Sequence, residues 1–226
     1  MIPNPIRKVL SSMHAHRVRS LLMGGQACVF YGAAEFSRDT DFVILAESTN
    51  LGRFKRALED LRAKGIVVPP FESKYLQRGH AIHFRYQHPG RRRTTIELAD
   101  RSICDLMSLP DLVRAKKIQR DKDWPMVRRL VEANYFQNCD KPNAAQIEFW
   151  LLELRTPALL VDLAQTHLSL AKKFLPKRKL LKYASSGHVT QVERALSVEE
   201  AFERKKDKLY WAPLLIELEK LRHPVP

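Results

Sequence analysis

The chain has 226 residues, 45% of them hydrophobic, which is enough for one large core or for one domain with a smaller one beside it. No apolar run approaches the roughly 18 residues of a membrane span, and three widely spaced cysteines exclude a disulfide framework or a C-x-x-C metal site. The formal net charge is +14, and residues 1–130 carry 24 Lys and Arg against 13 Asp and Glu. This charge favours a polyanionic partner such as nucleic acid, a nucleotide or an anionic membrane surface, although solubility alone would also account for it.

Strand and helix patterns alternate along the first half of the chain. Helices are predicted at 5–18, 26–36 and 50–64, and strands at 20–25, 39–46, 66–70, 75–87 and 92–99. Asn50 is predicted as the N-cap of the third helix and Gly65 as its C′ residue. The N-terminus lacks the apolar segment of a secretory signal, so we expect a cytoplasmic protein without a membrane partner.

Only helical patterns follow. Two helices are predicted within 108–136, on either side of 121–123, and further helices at 144–154, 157–174, 189–195 and 197–222. Turn residues cluster at 137–143, where a domain boundary is expected. The sequence therefore predicts an α/β (α+β) domain over 1–137 and an all-helical domain over 138–226.

The segment "LLMGGQACVFYGAAEFSRDTDFVIL" contains the most informative pattern. Gly24 and Gly25 stand between a strand and a helix, where glycine allows the backbone to approach a ligand such as a phosphate closely. Asp39 and Asp41 are two residues apart, so an extended chain would direct both carboxylates to one face. Two carboxylates beside a phosphate-binding turn suit Mg²⁺, which is commonly bound by one or two carboxylates together with substrate phosphates.

A third carboxylate is available in "TTIELAD". Glu97 lies between Ile96 and Leu98, so its side chain points away from theirs on a strand. Asp100 has the opposite parity and is the second choice. A third carboxylate from a neighbouring strand would complete a two-metal site for attack on phosphorus.

Taken in this order, these motifs resemble the nucleotidyltransferase superfamily, whose fold is shared with DNA polymerase beta. The closest resemblance is to small bacterial members, including AbiEii-like toxins of type IV toxin–antitoxin systems, and it covers about residues 20 to 130. It implies a mixed sheet with flanking helices, and Mg²⁺-dependent transfer of a nucleoside monophosphate from an NTP to an acceptor hydroxyl with release of pyrophosphate. The residues implied are Gly24 and Gly25 for the nucleotide turn, Asp39, Asp41 and Glu97 as catalytic metal ligands, and Lys116 or Lys117, in "SLPDLVRAKKIQRDKDW", for the phosphates.

The chain departs from the family pattern at two positions. Thr40 stands where the family often has an aliphatic residue, and Glu97 where it usually has Asp. In an alternative register, Asp41 and Val43 would match the two family aspartates, the site would be incomplete, and the protein would be an inactive binding or antitoxin-like regulatory protein. A further alternative is purely structural, with the glycines forming only a tight turn and the aspartates capping a strand.

The basic charge makes RNA, for example the 3′ end of tRNA, the favoured acceptor, with a protein hydroxyl or a small molecule as alternatives. Arg91–Arg93 and Lys177–Lys179 lie in the densest basic runs. Phe174 and Tyr183 flank the second run, which could hold RNA by charge and stacking, although either run could equally be a solvated surface.

Overall fold

The computed structural model describes residues 4–35, 37, 39–85 and 105–222, and shows a mixed α/β chain that is mostly helical. The mixed class predicted from the sequence is therefore confirmed. The strands are β1 (Ser20–Met23), β2 (Asp41–Ile44), β3 (Lys64–Gly65) and β4 (Phe84–Arg85). The helices are α1 (Asn4–Ala15), α2 (Gly24–Phe30), α3 (Ser48–Asp60), α4 (Ser73–Gln77), α5 (Leu109–Lys116), α6 (Trp124–Asn138), α7 (Ala144–Glu153), α8 (Pro157–Thr166), α9 (Leu168–Phe174), α10 (Leu181–Ser185) and α11 (Val189–Arg222).

The chain forms two compact units that are not continuous in sequence. The first consists of Met1–Gln26, Phe36–Met107 and Tyr210–Pro226, and the second of Ala27–Glu35 and Ser108–Leu209. The boundary expected between residues 137 and 138 falls inside the second unit, because α5 and α6 belong to the same unit as the helices that follow them.

In the first unit, β1 and β2 form an antiparallel pair whose register places Leu22 opposite Phe42. Alternate residues of a strand lie on opposite faces, so Leu22, Phe42 and Ile44 share one face. Leu22 is fully buried, while Phe42 and Ile44 pack against a core cluster that includes Met13 and Phe54. The other face of the pair is more open.

A third segment extends this sheet on the other side of β1. The Leu22 amide donates to the Asp105 carbonyl (2.9 Å), and the Met107 amide donates to the Leu22 carbonyl (3.0 Å). Leu22 and Leu106 thus form a parallel bridge, and β1 lies between β2 and residues 105–107.

Helix α3 begins at Ser48, two residues before the predicted N-cap. Asn50 is buried in the helix instead, and its side chain accepts a hydrogen bond from the Arg19 amide (2.7 Å) and donates to the carbonyls of Arg19 and Leu45 (2.9 Å each). The N-cap prediction was wrong because this side chain joins the helix to the ends of both strands.

The C-terminal end of α3 also differs from the prediction. Arg62, with φ of 51°, occupies the left-handed position, its amide donates to Glu59 (2.9 Å), and the Ala63 amide donates to Leu58 (2.8 Å). This is the Schellman pattern in which glycine is usual. Gly65, predicted at that position, lies in β3 instead.

Within its described residues, 75–85, the strand predicted over 75–87 is helical in its first part and contains β4 in its second. Gly79 (φ +90°) ends α4, with its amide donating to Leu76 and the His80 amide donating to Tyr75, both at 3.0 Å. Gly79 was thus a helix-stop signal in the sequence. The strand predicted at 66–70 was also wrong, because its prolines cannot donate to a ladder, and only 64–65 pair with β4.

The helix predicted over 26–36 ends at Phe30. From α5 onward, the second unit follows the predicted helices with three exceptions. The helix expected over 157–174 breaks at His167, α10 was not predicted, and α11 is continuous where a break was expected at residue 196. Ser197, a residue type that often caps helices, donates to the Glu193 carbonyl (3.2 Å) within α11. None of the described helices has the length and apolar character needed to cross a bilayer.

Candidate functional site

The glycine pair lies at the junction of β1 and α2, as predicted. Gly24 has φ of +68°, and a Cβ atom built on it would lie 1.9 Å from Oδ2 and 2.8 Å from Cβ of Asp41. A Cβ atom on Gly25 would lie 2.4 Å from Oγ of Ser37. Gly24 therefore requires glycine, because its backbone is left-handed and Cβ of Asp41 lies too close for a side chain, whereas a side chain at Gly25 would require the Ser37 hydroxyl to rotate away.

Asp41 is the first residue of β2 and is paired with Met23, the last residue of β1. The antiparallel register thus brings this aspartate to the place where the chain turns into α2. Asp41 is exposed, and its parity puts it on the open face of the sheet, which it shares with the half-exposed Leu21 and Val43. The sheet therefore presents a carboxylate on its open face, directly over Gly24.

Asp39 precedes β2, although the predicted strand began there. It is exposed, and its carbonyl accepts a hydrogen bond from the Ser37 hydroxyl (3.2 Å). The Ser37 hydroxyl, which lies close to Gly25, therefore also fixes the position of the Asp39 carbonyl. Exposed carboxylate oxygens of this kind suit Mg²⁺, so the chemistry of Asp39 and Asp41 fits the ion that the sequence predicts.

The third predicted ligand, Glu97, lies outside the described residues, as do Asp100 and Arg91–Arg93. Within residues 4–35, 37, 39–85 and 105–222, no three His, Cys, Asp or Glu side chains form a group able to hold a metal ion. The set of Asp39, Asp41 and Glu97 stays a prediction.

Sequence reasoning missed another carboxylate beside the sheet. Asp105 is exposed, and its backbone is bonded to β1 at Leu22. Its register puts it on the same face as Asp41, but two strand spacings across and two residues along, about 12 Å between Cα atoms. Asp105 is therefore too far from Asp41 to share one ion in this register. The sequence did contain a signal for Asp105, because this aspartate stands among apolar residues, as Glu97 does.

The two predicted phosphate lysines lie in the second unit, and both form ion pairs. Lys116 Nζ is 2.9 Å from Oδ1 of Asp123, a buried residue that also lies 2.8 Å from Nε of Arg120. Lys117 pairs with Glu153 of α7. Phosphate binding by either lysine would therefore compete with a carboxylate of the chain itself.

The basic run at 171–183 is only partly a surface. Arg178 and Phe174 are buried, with exposed fractions of 5% and 4%, so the prediction that they contact RNA was wrong. Lys177 and Lys179 are exposed on either side of Arg178. The expectation of a basic surface thus rests on the lysines.

Comparisons of the chain with protein-family models, with curated proteins and with solved structures give no match. The arguments for a function therefore rest on the sequence pattern and on the geometry around Gly24 and Asp41.

Proposed function

We propose that the protein is a Mg²⁺-dependent nucleotidyltransferase, resembling the small bacterial toxin-like members of that superfamily. The observation that carries the proposal is the close approach of the Asp41 carboxylate to Gly24, at the junction of β1 and α2. A strand that ends in a glycine pair, with an aspartate of the next strand directly over it, is the arrangement that the sequence motif implies.

In this proposal the carboxylates of Asp39 and Asp41 are metal ligands, and Glu97 is the third. The phosphates of the NTP would lie near the half-buried backbone of Gly25. Bound Mg²⁺ would supply positive charge to the phosphates. The acceptor hydroxyl oxygen gives up its proton to solvent and bonds to the α-phosphorus, while the bond from the α-phosphorus to the bridging β-phosphate oxygen breaks, which releases pyrophosphate. RNA is the favoured acceptor because of the net charge of +14.

Label transfer tests the proposal directly. The purified chain is incubated with Mg²⁺, each α-labelled NTP in turn, and total RNA, and label is sought in RNA, in protein and in small molecules. We expect labelled RNA with the wild type and none with Asp41→Asn, which removes a metal ligand but keeps the shape of the side chain. Glu59→Gln, on the exposed side of α3 in the same unit, is the matched control and should label RNA normally.

Absence of label in all fractions with every NTP would contradict the proposal, as would equal labelling by the wild type and Asp41→Asn. Label in protein or in a small molecule would support the transferase activity but would show that the acceptor is not RNA.

A binding protein without this chemistry, such as an antitoxin-like regulator, is the second candidate. The ion pairs of Lys116 with Asp123 and of Lys117 with Glu153 favour it, because they occupy the cations expected to meet the triphosphate. NTP binding that is unchanged by Asp41→Asn, without label transfer, is the result that would select this candidate.

A further inference from the structure

The second unit contains a long segment without negative side chains. Between Asp162 and Glu193 the sequence has five lysines and one arginine, and no Asp or Glu. The segment covers the last four residues of α8, all of α9 and α10, and the start of α11. Its charge is therefore concentrated in one part of the fold.

Arg178 is the internal anchor of this segment. Its Nη1 donates to the Leu151 carbonyl (3.0 Å), while Nε and Nη2 donate to the two carboxylate oxygens of Glu199 (3.1 and 3.0 Å). This fixes the turn between α9 and α10 against α7 and α11. Lys177 and Lys179, the residues on either side, are consequently held at the surface.

The five lysines are exposed, and we call them the lysine surface: Lys172, Lys173, Lys177, Lys179 and Lys182. Among the described residues, a carboxylate lies within ion-pair distance of only one of them, where Lys177 Nζ is 3.5 Å from Oε1 of Glu148. Both side chains of that pair are largely exposed, so the pair is weak. The positive charge of this surface is thus mostly uncompensated.

Charge, together with the partly buried ring of Tyr183, whose centroid lies 4.6 Å from Lys182 Nζ, is the attraction that this segment offers. Phe174 is buried, and the ammonium groups of Lys177 and Lys173 lie 5.1 and 5.8 Å from its ring centroid, so that ring cannot stack on a base. Leu168 and Val189 are the most exposed large apolar residues described within this segment, and their exposed fractions are 41% and 43%. A membrane-binding helix needs a continuous apolar face to insert, whereas binding to a phosphodiester backbone requires cations that neutralise its phosphates.

We propose that the lysine surface binds the phosphodiester backbone of RNA, without sequence preference, and thereby retains the acceptor. The choice of RNA rests on the proposed function. The surface itself lies wholly in the second unit, and its binding is measured without any transfer reaction.

The salt dependence of binding by the full-length protein is the test. Each phosphate contact to single-stranded RNA contributes about −0.7 to the slope of log affinity against log salt. Five contacts give a slope of about −3.5, a loss of about 100-fold between about 50 and 200 mM salt. The variant Lys173→Gln/Lys179→Gln/Lys182→Gln should reduce the slope to about −1.4 and the loss to about 7-fold.

The matched control is Lys205→Gln/Lys206→Gln/Lys208→Gln, which removes the same charge from exposed positions on α11 in the same unit. Acidic side chains, including Glu200, Glu203 and Asp207, surround these lysines in sequence. We expect the control to keep a slope near −3.5. Circular dichroism and melting curves establish that both variants are folded, as expected for changes at exposed positions.

An RNA oligonucleotide, a DNA duplex and vesicles of phosphatidylserine with phosphatidylcholine are compared as probes. A slope that is unchanged in the lysine-surface variant, or equally reduced in the control, overturns the proposal. Binding to the DNA duplex alone, or to the vesicles alone, overturns the assignment to RNA. RNA binding that depends on the lysine surface, without label transfer, supports this proposal and counts against the transferase. Label transfer to RNA, with a salt slope that is unchanged in the lysine-surface variant, supports the transferase and overturns this proposal.

Discussion

Replacing Gly24 with alanine should destabilise the first unit by about 2–5 kcal/mol. The left-handed backbone (φ +68°) costs an L-residue about 1–2 kcal/mol, and overpacking costs about 1–3 kcal/mol more. The carboxylate oxygen of Asp41, 1.9 Å from the new Cβ atom, could rotate away, but Cβ of Asp41, 2.8 Å away, moves only with the β2 backbone. Gly52→Ala is the matched control, because nothing lies within 4 Å of its Cβ atom in α3, and it should stabilise by about 0.5–1 kcal/mol.

Urea denaturation followed by circular dichroism measures both changes, which should have opposite signs. A double-mutant cycle then tests the contact itself. Asp41→Ala removes the two nearest atoms, so Gly24→Ala should cost about 1 kcal/mol less in that background than in the wild type. Equal stability of Gly24→Ala and the wild type, or strict additivity with Asp41→Ala, would refute the account of this turn.

Two further predictions concern ion pairs. His80 donates to Glu217 at 2.8 Å, and this hydrogen bond, followed by that from Arg78, holds the pKa of Glu217 below its ordinary value of 4.5. The folded state therefore binds this proton more weakly than the unfolded chain, so the stabilisation is complete above pH 4.5 and is lost as pH falls below it. Urea midpoints should consequently decline less steeply in acid for Glu217→Gln than for wild type, and a parallel decline would contradict this, with Glu59→Gln as control. In the second unit, Arg178→Ala should lower the free energy of unfolding by about 2–4 kcal/mol, because it removes a buried guanidinium from the half-buried Glu199 carboxylate and from the Leu151 carbonyl, whereas Lys179→Ala should change it by less than about 0.5 kcal/mol. A change below about 1 kcal/mol for Arg178→Ala would show that the anchor is dispensable.

The sequence correctly predicted those helices whose ends are fixed by interactions between neighbouring residues of the chain. The two helices around 121–123 are confirmed, and α7 begins where Asn143 and Gln146 form a reciprocal capping box. The same reasoning failed for Asn50, a good capping residue in isolation, because Arg19 and Leu45 supply better-placed partners from distant parts of the chain. It also failed for Arg62, where the hydrogen bonds of the helix end outweigh the cost of a left-handed arginine.

Gly24 and Gly25 lie where the sequence predicted them, between a strand and a helix, but the structure gives a different reason for glycine there. The sequence attributes Gly24 and Gly25 to close approach of a ligand, whereas Asp41 and Ser37 already approach these two backbones. A phosphate entering here would meet the Asp41 carboxylate, and two like charges about 4 Å apart repel by about 4 kcal/mol at an effective dielectric constant of 20. A cation that contacts both groups would remove this repulsion, so we expect one to accompany a nucleotide at this turn. This is why the Asp41 carboxylate, rather than the glycine backbone alone, makes the junction a nucleotide site in the proposed function.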